Sequence, residues 1–220
     1  MKNGFFEIWK RKDLLKQSLD LIDEMFDTNR EMFIMAVEAL EHKTPIRAKI
    51  VEKDKIINQN EITIRTKVLE HLAFTPEQDV TSSLVILGVS KDLERIGDFS
   101  KNIADITEQI SNKHHIEKIQ FIKYKQDIIK MFDLTKKAFM EDDEKTAKEV
   151  MKMHLGHSKE LNNAIAEMIN QENVTSETLV SILLMRYFKR FSSHLSNIAS
   201  TVVNPFQLVG FVAKDVDLED

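Results

Sequence analysis

Glu94 and Asp98 stand four residues apart in "LERIGDFSKNIAD", the stretch from Leu93 to Asp105. On a helix turning about 100° per residue, Glu94, Asp98, Asn102 and Asp105 share one line, while Leu93, Ile96 and Ile103 point toward a core. Like charges at this spacing repel by roughly a few tenths of a kcal/mol, and Arg95 and Lys101 are the cations on the same helix placed to relieve them. A metal ion is the other form of relief, because hard and borderline cations take carboxylate and amide oxygens. Asp54 and Asn58 in "VEKDKIIN" form a second pair at the same spacing, beside the apolar Ile50 and Ile57. The candidate metal ligands are therefore Asp54, Asn58, Glu94 and Asp98. Acid pairs are also common on solvated helix faces, so spacing alone leaves both readings open. Gly97 sits between the acids; a glycine inside a helix costs about 1 kcal/mol relative to alanine and points to a close approach.

A second stretch, "FKRFSSHLSNIAS" from Phe188 to Ser200, lies over the first without a gap, about 95 positions on. Arg95, Asn102, Ile103 and Ala104 recur as Arg190, Asn197, Ile198 and Ala199, whereas Glu94, Asp98 and Asp105 become Lys189, Ser193 and Ser200. The frame is kept twice and its carboxylates once. The repeated residues suit packing in two similar halves, and the acids suit a site present in only one.

The elements that position these residues follow from composition and periodicity. The chain of 220 residues has 5 Gly and 3 Pro, and it is rich in Leu, Ile, Met, Lys and Glu, the usage of an almost wholly helical protein. Apolar residues recur at helical spacing: Leu15, Leu19, Ile22, Met25 and Phe26; Ile46, Ile50, Ile57, Ile64 and Val68; Ile86, Val89, Leu93, Ile96 and Ile103. Three more helices are predicted near 117–141, 143–171 and 175–203, with "EDDEK" and "NQENVTSE" as turns. Thr44-Pro45 and Thr75-Pro76, the latter with Gln78 closing a capping box, read as helix starts, and Asn204-Pro205 as a stop. Six long antiparallel helices predict an all-α fold of two tandem three-helix bundles, over 1–113 and 114–205, with a tail over 206–220.

With no cysteine, disulfides and thiolate chemistry are excluded. The amino terminus lacks the pattern of a secretory signal, and no apolar run approaches the roughly 20 residues of a membrane span, so a cytoplasmic protein is expected. A formal charge of −5 argues against a nucleic-acid binder. The aromatics of "FFEIW" near the start suit packing in a homodimer, or on a partner or membrane interface.

"LERIGD" followed by "NIA" resembles the signature of the PhoU family, bacterial and archaeal regulators of phosphate uptake, and the likeness spans essentially the full length. It implies two three-helix bundles, each with the signature on its third helix and an acid pair on its second. It also implies iron or other divalent ions (Mn, Zn or Ni) at Glu94, Asp98 and Asp54, with Asn58 where the family has a second acid and hence weaker binding. The partners implied are a phosphate transporter component and a sensor histidine kinase, with membrane association only through them. In the second half, Lys189 and Ser193 replace one acid pair, and His154 and Ser158 stand opposite Asp54 and Asn58, within one residue of register.

Two other chemistries bear on these residues. His154 and His157 share a helix face and with His194 supply three nitrogens of the kind zinc or nickel accepts. A di-iron carboxylate enzyme places Glu-x-x-His on each of two helices, and none of the 7 histidines has a glutamate three residues before it. Serine elbows and glycine-rich phosphate loops are absent as well. The expected function is non-catalytic: a regulator of phosphate transport and phosphate-responsive signalling, with a metal-independent helical adaptor for another transporter or, more distantly, a metal-dependent helical-bundle enzyme as alternatives.

Overall fold

The computed structural model describes residues 4–74, 79–110 and 122–210. Among them run six helices: α1 (Gly4–His42), α2 (Arg47–Phe74), α3 (Val80–Gln109), α4 (Ile122–Glu141), α5 (Glu144–Ile169) and α6 (Ser176–Val203). The all-α fold is as expected. α1, α2 and α3 pack on one another, and so do α4, α5 and α6; the halves meet where α3 lies on α6 and α1 on α4. The expected division between 113 and 114, the capping box over 75–78 and the last ten residues fall outside the described residues, as do the side chains of "FFEIW".

The apolar stripes bury as their spacing requires. Ile50, Ile57, Ile64 and Val68 of α2 and Val89, Leu93, Ile96 and Ile103 of α3 are all fully buried. Ile103 and Ala104, and their counterparts Ile198 and Ala199, are likewise fully buried, so the repeated Ile-Ala pair serves packing in both halves. The core runs through without a break: Phe33 of α1 touches the rings of Phe132, Phe188 and Phe191. Around this seam Arg30 makes a two-pronged pair with Asp133, Lys136 bridges Asp23 and Asp27, and Lys125 reaches Glu41. Across α3 and α6, the His194 imidazole lies 2.7 Å from Asp92, and the Arg190 guanidinium sits 5.7 Å above the Phe99 ring.

The turns correct one expectation. α2 starts at Arg47, not at Pro45, because α1 ends in a left-handed cap: Lys43 has φ 52°, and the Thr44 amide donates back to the Ala39 carbonyl at 2.9 Å. That closure holds Thr44 outside the next helix, whose first carbonyl is that of Ile46, accepting from the Ile50 amide. The same device recurs between α4 and α5, with Asp142 at φ 55° and the Asp143 amide donating to Ala138. Asp143 then caps α5 through the Thr146 amide, and Thr175 caps α6 in a reciprocal box with Thr178. After Asn204-Pro205, a short 3-10 turn at Phe206–Leu208 leans on α3, and the Gly210 amide donates to the Ser200 hydroxyl at 2.8 Å.

Candidate functional site

Asp54 projects from the buried face of α2 and is only 5% exposed. Its neighbour across the bundle is Gly97 of α3: a methyl group there would lie 3.2 Å from Ile57 Cδ1, 3.3 Å from Asn29 Oδ1 and 3.5 Å from Asp54 Oδ1. That crowding accounts for the glycine. Asn29, fully buried on α1, donates its amide protons to the carbonyls of Met25 and Leu93, tying α1 to α3. Its own Oδ1, like Asp54 Oδ1, is buried with no donor.

The other carboxylate oxygen, Asp54 Oδ2, accepts from Lys101 Nζ at 2.8 Å and from the Asn58 amide at 3.0 Å. The same ammonium lies 2.8 Å from Asp98 Oδ1, while Asp98 Oδ2 receives Arg95 at 3.3 Å. Lys101 thus joins α2 to α3 through two carboxylates. Burial works against its charge, but the hydrogen bonds and the fields of Asp54 and Asp98 outweigh it and hold its pKa above the ordinary lysine value.

Of the four expected ligands, Asp54, Asn58 and Asp98 come together around Lys101. Glu94 belongs to an adjoining group: its Oε2 receives Lys91 at 2.7 Å, and Lys91 also lies 3.7 Å from Glu61, which in turn holds Arg65 at 2.6 Å. Sequence reading passed over Glu61, Lys91 and Asn29. Glu61 had a signal, since it stands seven residues after Asp54 on the same face of α2.

The donor set suits a hard cation, and the two carboxylates already converge on one: the lysine ammonium stands where such an ion would sit. The Asn58 side chain turns N–H toward Asp54; a flip of the amide would offer its oxygen instead. Among the described residues no three histidines or acids form a ready-made ion cluster. Asp54, Asp98 and Asn58 fit a divalent ion on the condition that Lys101 withdraws.

The equivalent place in the second half is built from neutral groups. His154 stands to Ser192 as Asp54 does to Gly97, with His154 Nδ1 3.0 Å from Ser192 Oγ. The Ser192 hydroxyl also lies 2.9 Å from the Lys189 carbonyl; when its proton goes there, His154 donates from Nδ1 and keeps a lone pair on Nε2. Burial, then the charges of His157 and Lys189, lower the His154 pKa to about 4, leaving the ring neutral at pH 7. His154, Ser193, Ser196 and Asn197 line a hollow of about 100 Å³. The Lys189 ammonium donates to Asn162 Oδ1 at 2.8 Å. The three histidines go to different neighbours, His154 to Ser192, His157 to the edge of Tyr124 and His194 to Asp92.

Comparison with known proteins agrees with this architecture. The profile of the PhoU domain matches twice, over residues 22–107 and 121–202. The phosphate-specific transport system accessory protein PhoU homolog 1 of Thermotoga maritima is 29% identical over 196 residues, covering 80% of this chain and 83% of that protein. Among crystal structures, PhoU from Pseudomonas aeruginosa is 23% identical and superposes with a TM-score of 0.75 over 87% of this chain and 96% of its own. The phosphate transport system regulatory protein PhoU from Streptococcus pneumoniae, 20% identical, gives 0.69 over 88% and 95%. The two domain matches follow the two halves of the fold and take in most of the sequence: this chain belongs to the PhoU family.

Proposed function

We propose that this protein is an accessory regulator of phosphate transport, acting by contact with a phosphate transporter component and its sensor histidine kinase and reaching the membrane only through them. The observation that carries the reading is the doubled PhoU domain, with a charged cluster on α2 and α3 of its first half. Its relative in Thermotoga maritima bears the name of a transport-system accessory protein. No described helix is long and apolar enough to cross a membrane, which suits a peripheral role. The working units are the halves over 1–113 and 114–205, and the protein acts without catalysis, in the cytoplasm, as a homodimer.

Asp54, Asn58, Glu94 and Asp98 are the cation-binding face of the first half, with iron, manganese, zinc or nickel as the ion. Asp54, Asn58 and Asp98 would supply the direct ligands; Glu94, one turn away, supplies charge and reaches the ion on a change of rotamer. Asp54 Oδ1, buried without a donor, supports this reading. A metal-independent adaptor is the second reading, favoured by the Lys101 ammonium already set between the two acids.

The test is capture of the transporter and the kinase, each in detergent, by the purified protein, beside a phosphate-responsive reporter in a strain lacking the gene. Binding of either component and restoration of repression by the wild type, but not by Glu94→Ala with Asp98→Ala, is the expected result. Binding and repression untouched by those substitutions would favour the adaptor, and no binding to either component would sink the regulatory reading.

A further inference from the structure

We propose that Lys101 is a tethered competitor for the cation site: its ammonium holds Asp54 and Asp98 together, and a divalent ion enters only by displacing it. This rests on the reading of Asp54 and Asp98 as cation ligands given above.

Geometry is the first support. The ammonium nitrogen lies 2.8 Å from Asp54 Oδ2 and 2.8 Å from Asp98 Oδ1, so the oxygens an incoming ion needs are the ones it already neutralises. An ammonium and a divalent ion cannot share those oxygens, since each would meet the other's charge at contact distance. The Asp54 side chain is only 7% exposed, and a carboxylate so far out of water requires a cationic partner of some kind. Lys101 is 27% exposed on a flexible four-carbon stem, able to swing out into solvent when another ion takes its place.

The internal repeat is the second and independent support. In the register that pairs Asp98 with Ser193, Lys101 pairs with Ser196, and the geometry pairs Asp54 with His154. Where both acids have gone, the lysine has gone with them. The packing residues of the same helix, Ile103 and Ala104, were kept as Ile198 and Ala199. Lys101 therefore belongs with the acids rather than with the frame. Without all three charges, the second half is left with the neutral hollow between His154, Ser193 and Ser196.

The consequence is a site with a threshold. Ions bind weakly, because each must evict a cation held at high local concentration, and the fold keeps its charge balance whether or not metal is present. Asp54 Oδ1, the second oxygen of the same carboxylate, is buried without a donor.

The experiment is Mn²⁺ titration of the full chain, followed by electron paramagnetic resonance of the free ion, for the wild type and for Lys101→Met, which keeps the stem and drops the charge. Lys101→Met should bind Mn²⁺ at least about tenfold more tightly, and adding Asp54→Asn and Asp98→Asn should abolish the gain. If Lys101→Met binds no more tightly while Asp54→Asn with Asp98→Asn abolishes wild-type binding, the competitor is refuted and the site stands. Binding indifferent to Asp54 and Asp98 in both backgrounds would overturn the site and the competitor together. Should Lys101→Met fail to fold, the wild type still decides: Mn²⁺ should increase labelling of Lys101 by an amine-reactive reagent, read by mass spectrometry. Labelling unchanged at a Mn²⁺ concentration that saturates the protein would refute displacement.

Discussion

Phe33 of α1 and Phe191 of α6 meet edge to face across the join between the two halves, with ring centroids 4.8 Å apart. Both are fully buried, and Phe33 also touches Phe132 and Phe188, so one side chain from the first half is enclosed by aromatics of the second. Phe33→Ala should therefore cost about 3–5 kcal/mol. Urea unfolding followed by circular dichroism should show one transition moved to lower denaturant. Two separated transitions in the wild type would contradict the continuity of the core.

Glycine should behave differently at three helical positions. Gly88 and Gly156 have nothing within 4 Å of an added methyl group, so alanine at either should stabilise by up to about 1 kcal/mol. Gly97→Ala would press on Ile57 and on Asn29, whose side chain is fixed by two hydrogen bonds. There the gain in helix propensity should be reversed, to a net loss of about 1 kcal/mol. Thermal unfolding of the three variants side by side tests the ordering, and stabilisation by Gly97→Ala would show that the junction is loose.

Acid should weaken the second half through His154. Its pKa falls from 6.5 to about 4 on folding, so the unfolded chain binds a proton more readily between those values. The stability that neutral His154 contributes is complete above about pH 6.5 and drains away as pH falls toward 4. After allowance for partial solvent access, the loss between pH 7 and 5 should be about 1–2 kcal/mol. Urea denaturation of the wild type and His154→Asn across that range measures it. Identical slopes against pH would remove His154 from the account.

Folding should not require metal. Lys101 and Arg95 already balance Asp54 and Asp98, and the apolar stripes are buried on their own account. Dialysis against EDTA is expected to leave the helical circular dichroism signal and the melting temperature unchanged. Unfolding on chelation would show that an ion is structural rather than exchangeable.

Thr175, whose hydroxyl accepts from the Thr178 amide, should cost about 1 kcal/mol when changed to alanine. The matched control is Ser176→Ala, which leaves that bond in place. Equal melting temperatures for the two variants would show that the cap carries no stability.

Periodicity was a sound guide to the helices because each stripe really is buried: Ile50, Ile57 and Ile64 recur at seven-residue steps and all reach the core. The start of α2 was misread because Lys43 takes the left-handed cap that glycine usually takes, so no residue marked the end of α1. Spacing marked Asp54 and Asp98 as candidates, and the likeness between the halves set His154 opposite Asp54 within one residue of register. Lys101's position between them could not, because it depends on how α2 and α3 face each other and on a four-carbon reach. Glu94 was grouped with Asp98 by helix geometry, yet Lys91 and Arg95 draw it aside.

The second half's neutral hollow also makes the two halves unlike. The two halves repeat one order of three helices, so each offers a similar backbone to whatever approaches it. Charges at Asp54, Asp98 and Lys101 in the first half, against His154, Ser193 and Ser196 in the second, make the two electrostatically different. A charged group that suits the first cluster meets different electrostatics at the second, so the two halves are distinguishable by charge although their helices repeat.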